Sequence, residues 1–472
     1  MRPCRAQRYL PTAVTALLIT LTAACTEDHD AWHLPDSCNG DCQIAHDAAT
    51  FADAVANATD AGSKCICVED TTITAAVTIV KPLTLVGRSP LSRIVAPTGE
   101  KGLVLRADDI TLRDIEISSD TVALDIAQAE RITLDGVRLT ALPPADGATS
   151  FALSLHDASV ELTDATLTGD PDTATAVGDI SGGTVTFSAV TATGFGLQGL
   201  TVTGGASLSW TGGGMSDIHT ENAALFITDA TVSLRDIAIE GISTPTSGNI
   251  LYGGRGIIAT NDAALDITDG VIRDSSSIGL LIDGTAHATV SSATIAGNAL
   301  TGIWIQNGPT NGDQLTLTGS TITGNRAAGI ALFRSCGVSI SDTRIEKNLS
   351  AQWHDALIGD GLTAYGHELA DKNCPLALAR VTFADNFRAG FIADGGSGTA
   401  ALDGLSFTEV TVEHSAADAP GKYGIIIQNG VAPSDLMTAV TANPFSAVDV
   451  TLDTPLPLFN EEQQLNGTKY HR

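Results

Sequence analysis

Residues able to do acid–base work crowd into one stretch of the chain. Trp353, His354, Asp355, Asp360, Tyr365, His367, Glu368, Asp371 and Lys372 all fall between Cys336 and Cys374. An imidazole beside a carboxylate is the usual form of a tuned general base. His354 and His367 are therefore the candidate catalytic bases, with Asp355, Asp360 or Glu368 as partner or as a calcium ligand. Arg334, Lys347 and Lys372 are the nearby cations that could neutralise a substrate carboxylate. The competing reading is a solvated polar loop, stapled by a Cys336–Cys374 disulfide. No metal-ligating cluster stands out, and calcium is the one candidate cofactor. His29 and His33, with Asp28 and Asp30, read as a polar tether or as a metal tract.

A second group lies on strands. Trp304, Phe333 and Tyr365 fall on three successive coils, Trp304 in one outward column and Phe333 and Tyr365 in the column beside it, in a chain with only 4 % aromatic residues, so their concentration is informative. Asp283, Gln306, Asp394 and Gln428 share the column of Phe333 and Tyr365. Aromatic rings offer broad apolar faces, and the polar members could bond hydroxyl groups, which together would make a sugar-stacking platform. Alternatively the chain covers this stripe itself, because exposed apolar columns are costly. The extended segment Thr454 to Asn460, TPLPLFN, is the candidate cover.

These residues are positioned by a repeat. Copies starting at Gly256, Gly279, Gly302, Gly329, Gly361, Gly390 and Gly424 read GIIATN, GLLIDG, GIWIQN, GIALFR, GLTAYG, GFIADG and GIIIQN. The base unit is 23 residues, and longer intervals mark insertions. Each copy alternates with period two, the spacing of a strand. In GIWIQN, Ile303 and Ile305 point one way and Trp304 the other. Short strands, β-branched residues and glycine corners at this period predict a parallel β-solenoid of roughly 13 or 14 coils, about 65 Å long. One coil cannot bury its apolar side alone, so neighbours stack into a continuous core. The Asn298, Asn325, Asn348 and Asn386 column reads first as structural: stacked amides at a corner that needs the left-handed conformation. ATFADAVANA, from residue 49, reads as an amphipathic helix over 48–58 that plugs the open end. VTIVKPLTLVG, Val77 to Gly87, reads as the first coil.

Composition bounds the rest. The chain has 472 residues, 43 % hydrophobic and 17 % charged, which excludes disorder and permits a large core built from Ile, Leu, Val and Ala. A net charge of −29 argues against nucleic-acid binding. Arg2, Arg5 and Arg8 precede the apolar run Leu10 to Leu21, as in a secretory signal peptide over 1–24. Leu21-Thr22-Ala23-Ala24-Cys25 resembles a bacterial lipobox, although Thr22 stands where Leu is preferred. That resemblance implies acylation of Cys25, and Thr26 in place of Asp then favours an outer-membrane address. The alternative is plain cleavage after Ala24. Six further cysteines in an exported chain read as three disulfides. Cys38 and Cys42 would join Cys65 and Cys67, leaving Cys336 with Cys374. A zinc site for the first four is the alternative, at a spacing poorly suited to it. The expected organisation is a signal peptide over 1–24, a Cys-rich tether over 25–47, the solenoid with its cap over 48–430, and a tail over 431–472.

The helix, the KPLTLVG-ended strand and the glycine-phased coils together resemble right-handed parallel β-helix proteins of the pectin-lyase-like superfamily, over roughly residues 48–430. The resemblance implies an exported protein that binds or processes an extracellular polysaccharide, as a lyase or hydrolase if it is an enzyme. The alternative is a non-catalytic surface protein contacting another protein or the matrix. Superfamily catalytic elements are incomplete here. Asp108-Asp109 is present, but Gly366-His367-Glu368 departs from Gly-His-Gly. Trp353-His354-Asp355 only partly resembles a pectate lyase element. Oligomeric state is open.

Overall fold

Each repeat unit supplies three short strands separated by tight corners, and the strands of successive units pair in parallel. The computed structural model describes residue 38 and residues 42–58, 64–145, 147–245, 253–309, 312–353, 356–396, 401–414, 423–443, 446–448, 450, 452 and 454–458. In one coil the strands are Ile278–Asp283, His287–Ser291 and Thr294–Ala296. In the next they are Thr301–Gln306, Leu315–Thr318 and Thr321–Thr323. Leu280 aligns with Ile303 and Leu281 with Trp304, so side-chain direction repeats from coil to coil. The first strands form a 14-stranded sheet, and the second and third join in a 28-stranded one. Fourteen strands in the first sheet mean fourteen coils. The inward residues of each strand, such as Leu280, Ile282, Ile303 and Ile305, are fully buried in one continuous aliphatic core.

The corners explain the glycine phase. A Cβ on Gly302 would lie 2.6 Å from the Gly329 carbonyl oxygen and 2.8 Å from Asn325 Nδ2, so only a residue without a side chain fits. The asparagines form the expected amide ladder. Asn298 Nδ2 donates to Asn325 Oδ1 (2.8 Å), Asn325 to Asn348 (3.3 Å) and Asn348 to Asn386 (2.7 Å). The left-handed residue of this corner, however, is the one before each asparagine: Gly297, Gly324, Lys347 and Asp385. The amides turn inward, fully buried, to serve backbone groups that the corner strips of partners. Asn325 Nδ2, for example, also reaches the Ile295 carbonyl (3.1 Å).

The end plug is a helix, Ala48–Asn57, capped by Asp47, whose carboxylate accepts from the Thr50 amide (2.8 Å). Its Phe51 is buried in the solenoid core. The coils begin earlier than the Val77–Gly87 reading expected. Cys65–Val68 and Thr72–Thr74 already pair with the strands that follow them, and Gln43–Ala45 pairs with Cys65–Val68. Short strands interrupted by charged residues gave this coil little periodicity. Disulfides join Cys38 to Cys67, Cys42 to Cys65 and Cys336 to Cys374. The first two leave no thiolates for the alternative zinc site. Among the described residues no helix is long and apolar enough to cross a membrane. Cys25, the lipidation candidate, lies outside the described residues.

Candidate functional site: the outward face of the 14-stranded sheet

Outward positions at the centre of this sheet form one column. It runs Asp125, Ser154, Asp179, Thr201, Phe226, Ile258, Leu281, Trp304, Ala331, Thr363, Ile392 and Ile426. Its C-terminal half is apolar and covered. Trp304 is 0 % exposed and Phe333 5 %, and both pack with Ile258, Leu281, Ala331 and Ile358. Ile358 belongs to an antiparallel hairpin, Ala351–Trp353 with Ala356–Ile358, contributed by the insertion after Asn348. Farther along, Leu458 with Val450, Leu452 and Leu456 of the tail covers Ile392 and Ile426.

The open sugar-stacking platform is therefore corrected. Trp304, Phe333 and Tyr365 do point away from the core, but the chain folds its own hairpin and tail over them. Phe333 and Tyr365 stack on each other, centroids 5.7 Å apart at 7°, and Tyr365 is only half-buried. The polar partners are equally committed. Gln306 Nε2 donates to Asp283 Oδ1 (2.8 Å) while Gln306 Oε1 accepts from Trp304 Nε1 (2.8 Å). Asn307 also donates to Asp283 (3.1 Å). The same arrangement recurs where Gln428 and Asn429 donate to Asp394 (2.8 and 3.0 Å). Gln428 additionally holds the tail, donating to the Leu456 carbonyl and accepting from the Leu456 amide, both at 2.9 Å. Arg388 completes the clasp: it forks the buried Asp360 carboxylate and donates to the Pro457 carbonyl (2.7 Å).

The described acid–base candidates of the insertion are dispersed. His354 and Asp355 lie outside the described residues. His367 and Glu368 begin a short 3-10 helix, His367–Ala370, where His367 is exposed and its Nε2 lies 3.4 Å from Glu368 Oε1. Arg334 stacks over the Phe333 ring (4.9 Å), and Lys372 pairs with Asp403. Among the described residues no group of His, Cys, Asp and Glu is arranged to hold a metal ion.

The N-terminal half of the column carries a polar cluster that the sequence reading passed over. Asp125 is 1 % exposed, and its Oδ2 is bonded by Lys101 Nζ and by Arg106 Nη2 (3.1 Å). Burial alone would raise its carboxyl, but the bonds from Lys101 and Arg106 outweigh this and hold it below the usual carboxylate range. Asp125 Oδ1 is buried with no partner. Next along are Ser154 and His156 on the strand Ser150–His156, and then Asp179 on Thr175–Ser181. Burial pushes the Asp179 carboxyl up, aided by the charge of Asp125 and opposed by His156 and Ser154. Ser154 Oγ lies 3.0 Å from His156 Nε2, and the same nitrogen lies 3.4 Å from Asp179 Oδ2.

This geometry limits the chemistry. A serine nucleophile relay needs the two imidazole nitrogens facing different partners; here one nitrogen faces both. Asp125, clamped by two cations, is a weak proton acceptor. Asp179, held toward its protonated form and about a third exposed, is the group that could give up a proton. The signal for this cluster was the outward phase of VALDIA, FALSLH and AVGDIS. Those repeats lack the regular glycine start, so nothing in the sequence aligned them.

Residues 255–436 match the family model of the right handed beta helix region. No curated protein matches the chain. Among solved structures, the catalytic unit of a GH87 alpha-1,3-glucanase from Streptomyces thermodiastaticus strain HF3-3 aligns at 11 % identity and a TM-score of 0.42, over 84 % of this chain and 68 % of that one. The A-module of the Azotobacter vinelandii mannuronan C-5 epimerase AlgE6 aligns at 13 % identity and 0.33, over 83 % and 96 %. This chain spans 64 % of the catalytic domain of another GH87 alpha-1,3-glucanase, at 12 % identity and 0.32. Likenesses this distant carry no argument about activity. Over residues 255–436 the family match and the coil agree on architecture, a right-handed parallel β-helix, and the same parallel coil runs on through the other described repeats.

Proposed function

We propose that the chain is exported and binds or processes an extracellular polysaccharide, using the N-terminal half of the outward face. One observation carries the reading. The hairpin and the tail cover the apolar half of the column, whereas the half bearing Lys101, Arg106, Asp125, Ser154, His156 and Asp179 keeps half-exposed polar side chains at its surface. Strands about 4.8 Å apart set these groups at the scale of a sugar ring. Three disulfides support an oxidising compartment. That a single His156 nitrogen faces both Ser154 and Asp179 favours binding over covalent catalysis. The outer-membrane lipid anchor through Cys25 belongs to the same proposal and rests on the lipobox resemblance.

A glycan array probed with the mature protein, with and without calcium, tests this reading. The expected result is binding to at least one polysaccharide class, weakened in the Asp179→Asn variant. Absence of binding across the array in both conditions would overturn it and leave the non-catalytic surface protein as the better account.

A further inference from the structure

The cluster around Asp125 also constrains which polysaccharide fits, an inference that rests on the proposed function and deepens it. Lys101 and Arg106 are the cations of this cluster, and both are spent on one carboxylate oxygen, Asp125 Oδ2. Asp179 adds a second carboxylate beside His156. Two cations against two carboxylates leave the cluster with little net charge when His156 is neutral. The whole molecule, at −29, repels polyanions at low salt. A uronate carboxylate arriving here would meet no uncommitted cation and an adverse long-range field.

The opposite need is present. Asp125 has a side chain 2 % exposed, yet its Oδ1 has no hydrogen-bond donor. A buried carboxylate oxygen without a donor is expensive, by more than a neutral group would be. It calls for a donor that carries no negative charge. Lys101 and Arg106 both bond Oδ2, so a donor to Oδ1 competes with neither cation. Ser154 and His156 offer further donor and acceptor positions one coil on.

We infer that this cluster receives an uncharged, hydroxyl-rich sugar, one hydroxyl of which donates to Asp125 Oδ1 while neighbouring hydroxyls meet Ser154 and His156. Neutral glycans are the ligand class, and uronate polymers are excluded by charge. Asp125 is a binding residue in this arrangement, and Arg106 positions it.

The test is titration calorimetry of the mature protein with dextran, a soluble β-1,3-glucan and a mannan, against polygalacturonate and alginate, at low and at high salt. The expected result is binding to a neutral polymer that changes little with salt, and no binding to either uronate. Asp125→Asn and Ser154→Ala should each weaken the neutral polymer at least tenfold. Ser154→Ala keeps the test valid if Asp125→Asn fails to fold. Binding confined to the uronates would overturn this inference while leaving the polysaccharide reading intact. Neutral binding indifferent to a folded Asp125→Asn and to Ser154→Ala would remove the cluster as its site. Failure of all five polymers to bind would overturn this inference, whereas the polysaccharide reading falls only if the glycan array is blank as well.

Discussion

Trp304 separates the direction of a side chain from its exposure. It sits on the outward phase of its strand, yet it is completely buried, because Ile358 of the hairpin closes over it. Trp304→Ala should therefore lower stability by about 3–5 kcal/mol through the cavity it leaves. Denaturant unfolding would check the loss, and a change within about 0.5 kcal/mol would mean that the face is open after all. Asp179 and Asp125 make opposite claims about pH. Burial raises the Asp179 carboxyl in the folded state, so its contribution to stability is full below the ordinary Asp value of about 4 and is lost as pH rises through the raised folded value. Asp125 is held low despite its burial. Its contribution is present above about pH 4 and is lost as pH falls through the depressed folded value. Asp179→Asn should thus melt no lower than wild type at pH 7 and lose relative stability on acidification toward pH 4. A variant markedly less stable at pH 7 would contradict the assigned direction.

At the scale of elements, the coil was legible and its covers were not. Period-two alternation with a 23-residue return fixed the strands, the inward residues and the asparagine ladder, because these depend on neighbours one coil away. The hairpin at 351–358 and the tail at 450–458 reach the face through contacts that no local pattern encodes. The TPLPLFN segment was legible as an apolar strap, but its clasp, Arg388 on Asp360 with Pro457, required the folded chain. The Asp125 cluster was missed for a related reason. Its strands lie 25–29 residues apart, so their register emerges only once the coils are stacked. Two variants probe these elements. Arg388→Ala leaves Asp360 buried and uncompensated, side chain 1 % exposed, and should cost about 3–5 kcal/mol while loosening the tail to protease. Unchanged stability and an equally resistant tail would show that the clasp holds nothing. Asn325→Ala strips the Asn298 amide of its acceptor and should cost about 1–3 kcal/mol in the same unfolding measurement.

At the scale of the whole molecule, the β-helix is a rod of fourteen coils whose outward face on the 14-stranded sheet is divided in two. Its C-terminal half is sealed by the chain itself, and its N-terminal half carries the polar cluster. The lipid anchor proposed at Cys25 predicts that Cys25→Ser abolishes palmitate labelling and that globomycin leaves the precursor uncleaved; processing without lipid label would retire that proposal. The central claim is the location of the glycan site, and it is tested most directly by titrating one bound polysaccharide against two double variants. Ser154→Ala with Asp179→Asn alters the uncovered half, and His367→Ala with Glu368→Gln alters the insertion beside the sealed half. The account predicts at least a tenfold loss of affinity in the first and none in the second. A loss confined to the second would contradict it and return the site to the insertion between Cys336 and Cys374.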